Sequence, residues 1–173
     1  MAVREILLLG NPGLRVNCEK VKNFSDPELH HVITDLRDTL ADFRRTHGFG
    51  RGIAAPQIGI TKRMTLINVD EPIVLINPEI VKQSKQMMLL WDDCFSFPDL
   101  MVKVKRHTKI IVEYQDEFGK KNQLEAQGGL SELLHHEIDH LNGVLAIDRA
   151  IDAQHIMLRN EWKKLQRISA NTL

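Results

Sequence analysis

Two histidines four residues apart, His136 and His140, constrain this chain more than any other feature of its sequence. They lie in a segment, residues 129–143, whose apolar spacing and closing Asn142-Gly143 predict an α-helix. Because an α-helix turns about 100° per residue, the two imidazoles lie one above the other on one face. They can then share one metal ion, with Glu137 as general base or acid on a water molecule that the metal activates. We therefore expect the chain to fold around this helix.

Glu137 supports the metal interpretation, because it falls on the side of the helix that is expected to face the core. A carboxylate there is costly unless a cation lies nearby. A helix with two structural histidines would leave Glu137 without a partner. The apolar face consists of Leu130, Leu133, Leu134, Ile138 and Leu141, and the opposite, polar face of Ser131, Glu132, His135 and Asp139.

Length and charge limit the classes of protein that this chain can be. Its 173 residues are typical of one domain, and we expect residues 1–173 to form a single catalytic domain. With 23 basic and 23 acidic side chains, the formal net charge is zero, which argues against a nucleic-acid or membrane-surface partner. No apolar run reaches the roughly 18 residues of a membrane span, and the N-terminal segment lacks a cleavable signal pattern. Two cysteines are too few for a disulfide framework, so a cytoplasmic location is expected.

The order of the remaining elements predicts an α+β fold. Residues 25–28 have the spacing of a capping box, and a first helix is expected to run to about Thr46 and to stop near Gly48. A last helix is expected after Asp152, with an apolar inner face at Ile156, Trp162, Leu165 and Ile168. We expect short antiparallel strands, packed around the metal-binding helix, at residues 64–69, 73–76, 100–106, 109–114 and 121–127.

A glycine-rich segment, residues 47–59, is the second unusual stretch. Its alternating glycines allow another backbone to come close and leave N–H and C=O groups free for a bound chain. The Gln57 amide could hold a polarised carbonyl oxygen. A plain glycine-rich turn before a strand explains the segment equally well.

The third metal ligand separates the possible reactions, since a catalytic site needs three protein ligands and one open position. A metalloprotease pattern that ends in a third histidine fails here, because Ala146 occupies that position. A second protease form would take Glu161 from the last helix. Cys94, in the turn at residues 90–99, is a third candidate, because a thiolate is a strong ligand for soft and borderline metals.

Three motifs together resemble those of the peptide deformylase family. They are the glycine-rich segment at residues 50–57, the turn around Cys94, and His-Glu-Ile-Asp-His at residues 136–140, in the family's order and at similar separations. Residues 3–7, 11–12, 14–15, 141–145 and 148–149 also fit, so the resemblance covers nearly the whole chain.

The resemblance implies hydrolysis of the N-formyl group from N-terminal formylmethionine of nascent peptides near the ribosome, with release of formate. It implies one divalent metal, natively Fe(II) with zinc or nickel possible, and Glu137 as the group that passes a proton from the attacking water to the leaving amine. Gln57 and the backbone N–H of Phe95 would stabilise the oxyanion, and Gly50, Arg51 and Gly52 would pair with the substrate. The metal ligands that it implies are Cys94, His136 and His140.

Four positions depart from the family's usual residues. Asp93 stands where a glycine is expected, Phe95 is bulkier than the usual aliphatic residue, Arg51 replaces an aliphatic residue, and Gly129 stands where leucine is common. An Asp93 in place of a glycine could take a positive φ, and Gly129 could widen the substrate pocket. The alternatives to a deformylase are therefore a protease that uses Glu161, a paralogue with shifted specificity, and a protein with only a binding role.

Overall fold

The computed structural model describes residues 3–170, with side chains described as far as residue 168. Within that range, three helices and eight strands follow one another in the order α1, β1–β7, α2, β8, α3. The helices are α1 (Pro27–His47), α2 (Gly129–Leu141) and α3 (Arg159–Ala170). The strands are β1 (Gly52–Ala54), β2 (Met64–Asn68), β3 (Pro72–Gln83), β4 (Met87–Asp92), β5 (Leu100–His107), β6 (Lys109–Gln115), β7 (Lys121–Gln127) and β8 (Ile156–Leu158).

Helix α1 confirms the first predicted helix. The Asp26 side chain caps it by accepting a hydrogen bond from the backbone N–H of Glu28, and Pro27 begins its first turn. It ends where Gly48 takes the left-handed conformation, with φ of 75°. Its buried face packs on β1 and β2 and contains Leu29, Val32, Ile33, Leu36, Leu40 and Phe43.

The strands form two antiparallel sheets, one in the order β1-β2-β3-β6-β7 and one in the order β4-β5-β8. Strand β3 continues through Asn77-Pro78, where the sequence predicted a break. Asn77 adopts a φ of 52°, and the register with β6 shifts there, so the strand bends instead of ending. The Asn77 amide stabilises this bend by bonding to the backbone N–H and C=O of Val21.

Helix α2 is the central element, and it contacts both sheets through β1, β2, β5 and β7. The sequence predicted a polar face on this helix, and the structure corrects that expectation. Every residue from Ser131 to Leu141 is buried, because β5 and β7 cover the side that was expected to face solvent. The Ser131 hydroxyl there donates a hydrogen bond to the backbone oxygen of His107.

Expectations for the middle and for the last part of the chain were wrong. Residues 87–92 form strand β4, although the stretch from Leu90 was expected to be a turn. The segment after Asp152 forms a short 3₁₀ turn and strand β8 before α3 begins at Arg159, so Ile156 belongs to a sheet edge. Leu165 and Ile168 on α3 are 50% and 63% exposed and do not form the expected inner face. Among residues 3–170, no helix is both long and apolar enough to cross a membrane.

Candidate active site

The sequence-predicted metal ligands converge on one buried point. Cys94 follows β4 in a tight turn, and the two histidines lie one turn apart on α2. The Cys94 Sγ lies 3.3 Å from His140 Nε2, which lies 3.1 Å from His136 Nε2. All three ligand atoms lie within 4.8 Å of one another, and all three residues are buried. One sulfur and two imidazole nitrogens at this spacing can direct lone pairs at a common point. This set of donors fits a divalent metal of borderline softness.

Asp92, the last residue of β4, orients His136. Its Oδ1 lies 2.8 Å from Nδ1 of His136, so the Nε2 atom faces the other two ligands. Burial lowers the pKa of His136, but the adjacent Asp92 carboxylate outweighs burial and holds that pKa well above its usual value. Asp92 is held in turn by the buried Arg106, whose Nη2 lies 3.4 Å from Asp92 Oδ2 and whose Nη1 lies 2.5 Å from Asp139 Oδ2.

Arg106 differs from the neighbouring cations Lys103, Lys105 and Lys109, because it is 3% exposed and is buried between β5 and α2. It joins the second sheet to α2 through its two carboxylate partners.

Glu137 is buried beside the three ligand residues. Its Oε2 lies 3.4 Å from the Thr65 hydroxyl on β2, and Gly52 on β1 leaves the space that its carboxylate fills. Burial raises the pKa of Glu137 to about 7, and the Asp92 and Glu132 carboxylates act in the same direction against the opposing charge of His136. A carboxyl group that titrates near neutrality can both accept and return a proton.

Gln57 and Phe95 flank Cys94. The Gln57 side chain accepts a hydrogen bond from the backbone N–H of Ala54, and its Nε2 lies 3.5 Å from the Cys94 sulfur and 3.4 Å from the Ser96 hydroxyl. The Phe95 ring stacks on Phe43 with centroids 3.7 Å apart and lies against Gly50. The amide donor of Gln57 and the backbone of Phe95 therefore lie next to the predicted metal ligand Cys94.

A cavity of about 350 Å³ opens onto this cluster. Strand β1 lies at the edge of its sheet, so one side of its backbone is free to pair with a bound peptide. The cavity is lined by backbone and side chains of residues 48–52, together with Gln57, Asp92, Asp93, Cys94, Phe95, Glu132, Leu133, His136 and Glu137.

Arg51 is bound to α2 across the cavity. Its Nη2 lies 2.5 Å from Glu132 Oε2, and its Nη1 donates to the backbone oxygen of Gly129 at 3.1 Å. A side chain at position 129 would place its Cβ 3.3 Å from Arg51 Nη1, so the glycine leaves room for the guanidinium. Gly129 therefore does not widen the cavity, because Arg51 occupies the space beside it.

Asp93 does not adopt the positive φ that its place at a usual glycine position suggested. In residues 3–170, Asn77 is the one non-glycine residue with positive φ, so Asp93 carries no such strain. Its carboxylate lies 2.8 Å from Nη1 of Arg159, the first residue of α3. The Arg159 guanidinium also lies 3.9 Å from the centre of the Phe49 ring and donates to the Pro98 backbone oxygen. Helix α3 is thus anchored to the turn that carries Cys94.

Glu161, the alternative third ligand, does not approach the histidines. It lies on the exposed side of α3, where its Oε1 lies 2.6 Å from Lys164 Nζ. In the part of the chain that the structure describes, the groups that could hold a metal are Cys94 with the two histidines, and Asp92 with Glu132 and His136. The protease arrangement is therefore wrong for this chain.

Several residues around the predicted ligands have no signal in the sequence that reveals their place in the site. Asp92, Arg106, Thr65 and Arg159 reach the site from separate segments, and no spacing in the sequence connects them to α2. The position of Glu132 beside the histidines could have been predicted from spacing. Glu132 lies four residues before His136, and His136 lies four residues before His140. That regular spacing places all three on one helix face.

The comparisons with known proteins agree with the geometry. Residues 3–155 match the family described as polypeptide deformylase. A curated peptide deformylase from Campylobacter jejuni is 36% identical over 174 aligned residues, which cover 95% of this chain and 96% of that protein.

Two solved structures show the same fold. The peptide deformylase from Legionella pneumophila superposes with a TM-score of 0.83 at 37% identity, covering 98% of each chain. The peptide deformylase from Synechococcus elongatus in complex with actinonin has a TM-score of 0.80 at 34% identity and covers 88% of this chain and 81% of that one.

Proposed function

Since this chain belongs to the polypeptide deformylase family and is an enzyme that removes the formyl group from N-terminal formylmethionine, we propose that Cys94, His136 and His140 hold its metal ion. The observation that carries the proposal is the convergence of these three donors beside the buried Glu137. We further propose that residues 1–173 act as a single catalytic domain.

The thiolate and the two imidazoles suit Fe(II), zinc or nickel, and we propose Fe(II) as the native ion. When bound, the metal supplies a Lewis acid that polarises the formyl group and makes water a better nucleophile at neutral pH. Asp92 keeps His136 in the tautomer and orientation that ligation needs, and Arg106 holds Asp92 in place.

Glu137 moves the proton. Its carboxylate takes a proton from water as the oxygen attacks the formyl carbon, and then gives that proton to the amine nitrogen as the C–N bond breaks. The products are formate and a peptide with a free N-terminus. A pKa near 7 suits both halves of this cycle.

Gln57 and Phe95 stabilise the charge that develops on the formyl oxygen. The Gln57 side-chain oxygen accepts a hydrogen bond from the Ala54 N–H, and this bond fixes the orientation of the amide. The Nε2 donor is therefore in place before substrate binds. The backbone N–H of Phe95 supplies the second donor.

The substrate is a nascent formyl peptide that pairs with the free edge of β1 near Gly50 and Gly52, as an added strand. We place this activity in the cytoplasm near the ribosome. Neither Cys18 nor Cys94 is paired in a disulfide, which agrees with a reducing compartment.

The test is formate release from formyl-Met-Ala peptides by anaerobically purified, metal-loaded protein. Glu137→Gln should lower kcat by about 10²- to 10⁴-fold while metal content stays unchanged. Cys94→Ala should lose the metal. Glu161→Gln, on the exposed side of α3, is the matched control and should keep both metal and activity.

Two results would contradict the proposal. Retention of metal by Cys94→Ala would exclude it as a ligand. Absence of formate release from loaded protein, with the metal bound, would favour the alternative of a binding role without catalysis.

A further inference from the structure

One arginine holds both ends of the turn that carries the proposed ligand Cys94. This turn, residues 93–99, connects β4 to β5. The Arg159 Nη1 lies 2.8 Å from the carboxylate of Asp93, the first residue of the turn. The Arg159 Nε donates a hydrogen bond of 2.6 Å to the backbone oxygen of Pro98, near the other end. The span of the turn is therefore fixed from outside by a residue of α3.

The pairing of β8 with β5 determines where Arg159 lies. Leu158, the last residue of β8, pairs with Leu100 at the start of β5, and Arg159 follows directly as the first residue of α3. The backbone N–H of Arg159 donates to the backbone oxygen of Asp99 at 2.7 Å. The main chain at Arg159 is thus bound to the turn independently of its side chain, and it brings the guanidinium to the turn.

The same guanidinium contacts the glycine-rich segment. Its central carbon lies 3.9 Å from the centre of the Phe49 ring, which is the geometry of a cation–π contact. Phe49 lines the cavity next to Gly50, and its ring meets that of Phe95 edge-on, with centroids 6.3 Å apart. Arginine can bind all these groups at once, because the edge of its planar guanidinium donates to oxygens while the face stacks on a ring. One side chain therefore joins the Cys94 turn to the segment proposed to pair with substrate.

Arg159 makes these contacts from outside the cavity. Within residues 3–168, the residues that line the cavity include Phe49 and Asp93 but not Arg159. The Arg159 side chain is 13% exposed, so water supports its charge only weakly and Asp93 is its ionic partner. Separating a largely buried ion pair leaves each charge uncompensated, so the pair holds its two segments in one relative position.

We propose that Arg159 is a positioning residue of this enzyme, which fixes the Cys94 turn against the glycine-rich segment and so sets where Cys94 and the Phe95 N–H lie relative to the bound substrate. Arg159 acts through Asp93 on the turn and through Phe49 on the substrate segment, and it touches neither metal nor substrate. This inference rests on the proposed function and deepens it. It also gives a role in the site to Asp93, which stands where the family usually has glycine.

The experiment measures the zinc Kd, by competition with a chromogenic chelator, and kcat and KM for formyl-Met-Ala at saturating metal. Arg159→Met should raise the zinc Kd and lower kcat by about tenfold each, because loss of a group that orients a ligand commonly changes affinity or activity by that much. KM should rise by about two- to fivefold, because the cation–π contact that holds Phe49 is lost.

Two single variants test the contacts one at a time. Both leave Arg159 in place, so they decide the proposal even where Arg159→Met does not fold. Asp93→Ala should raise the zinc Kd and lower kcat with KM unchanged, because only the turn loses its anchor. Phe49→Leu should raise KM with the zinc Kd unchanged. In Asp93→Ala protein, the further change Arg159→Met should alter the zinc Kd by less than about threefold, because the two side chains act as a unit.

Lys164→Met is the matched control. Lys164 is another cation of α3, but it is exposed and its ion-pair partner Glu161 lies on the same helix. The zinc Kd, kcat and KM should all stay at their wild-type values in this variant, whereas a general effect of charge on α3 would change them as Arg159→Met does.

The outcomes separate this proposal from the proposed function. A folded Arg159→Met protein with wild-type zinc Kd and kcat would overturn the positioning role, and so would a full tenfold effect of Arg159→Met in the Asp93→Ala background. An unchanged KM in Phe49→Leu would overturn the link to the substrate segment. If loaded wild-type protein releases no formate, the proposed function fails, and the zinc Kd values still decide whether Arg159 positions the Cys94 turn.

Discussion

Gly52 determines how closely β1 approaches Glu137. A Cβ at this position would lie 2.5 Å from Glu137 Oε1 and 2.9 Å from its Cδ, distances that force the carboxylate to move. Glu137 is 3% exposed, so it has little room to do so. We expect Gly52→Ala to lower kcat for formate release by about 10- to 100-fold, because a proton-transfer group shifted by a fraction of an ångström no longer meets the reacting atoms. Metal content should not change, since the ligands keep their positions.

Gly13→Ala is the control for this substitution. Its Cβ would meet Leu7 Cδ1 at 3.0 Å and Asn11 Oδ1 at 3.2 Å, which are ends of side chains that do not line the cavity. Wild-type kcat in a correctly folded Gly52→Ala protein would show that Glu137 does not act from its observed position.

Cys18 is a residue whose protonation is set by packing. It is 5% exposed between Ala54 and Leu141, and burial raises the pKa of its thiol to about 11, against a smaller opposite effect of Arg63. A raised acid pKa stabilises the fold below the unfolded value of 9.0, and this stabilisation is lost as pH rises from 9 to 11. We expect the thiol to resist alkylation at pH 8 in the native protein and to react in urea, as mass spectrometry would show.

The same residue gives a test by stability. Between pH 9 and 11, wild-type protein should lose on the order of 1–3 kcal/mol more unfolding free energy than Cys18→Val, in which nothing titrates at this position. Equal losses in the two proteins would mean that the Cys18 thiol ionises freely.

At the scale of elements, Arg106 connects β5 to both β4 and α2. It is 3% exposed and lies against Asp92 and Asp139, while Arg149 contacts Asp139 from the surface. Arg106→Leu would remove one of the cations that balance the buried Asp92 carboxylate and leave His136 as its main partner. We expect a loss of about 3–5 kcal/mol in urea unfolding, because an uncompensated buried charge costs more than the ion pair contributes.

Lys105→Leu is the matched control, since Lys105 is the exposed neighbour on the same strand. It should change the unfolding free energy by less than about 0.5 kcal/mol. Similar losses in the two variants would show that Arg106 contributes no more than a surface cation.

The elements differ in how well their sequences specified them. Helix α1 has both caps and an apolar face, so local physics determined it and its bounds were predicted correctly. Strand β4 was not predicted, because its sequence does not alternate between apolar and polar residues. Most of Met87–Asp92 is half-buried. Strand β8 has three residues that are specified by pairing with β5, which no local pattern records.

At the scale of the whole molecule, the sequence predicted the residues that carry recognisable motifs. It did not predict contacts between side chains that are distant in the chain. The histidine spacing and Cys94 predicted a cluster that the structure brings together. The Arg51–Glu132 pair could not be predicted, because its partners lie 81 positions apart and meet only after α2 docks on β1. Arg159 contacts Asp93 for the same reason, through the packing of α3.

The three proposed ligands come from different parts of the fold, and this gives a prediction for the entire protein. Cys94 follows a strand of the three-stranded sheet, whereas His136 and His140 belong to the helix that packs on both sheets. A bound ion therefore links the smaller sheet to α2. It stabilises the folded state by mass action, by about 2.7 kcal/mol at a hundredfold excess over Kd.

Adding a chelator to loaded protein should lower Tm by several degrees, and the shift should depend on metal concentration. In Cys94→Ala the chelator should have almost no effect, whereas Cys18→Ala, which lacks the other buried thiol, should respond as the wild type does. A chelator shift of equal size in both variants would mean that the ion binds elsewhere and does not connect these elements.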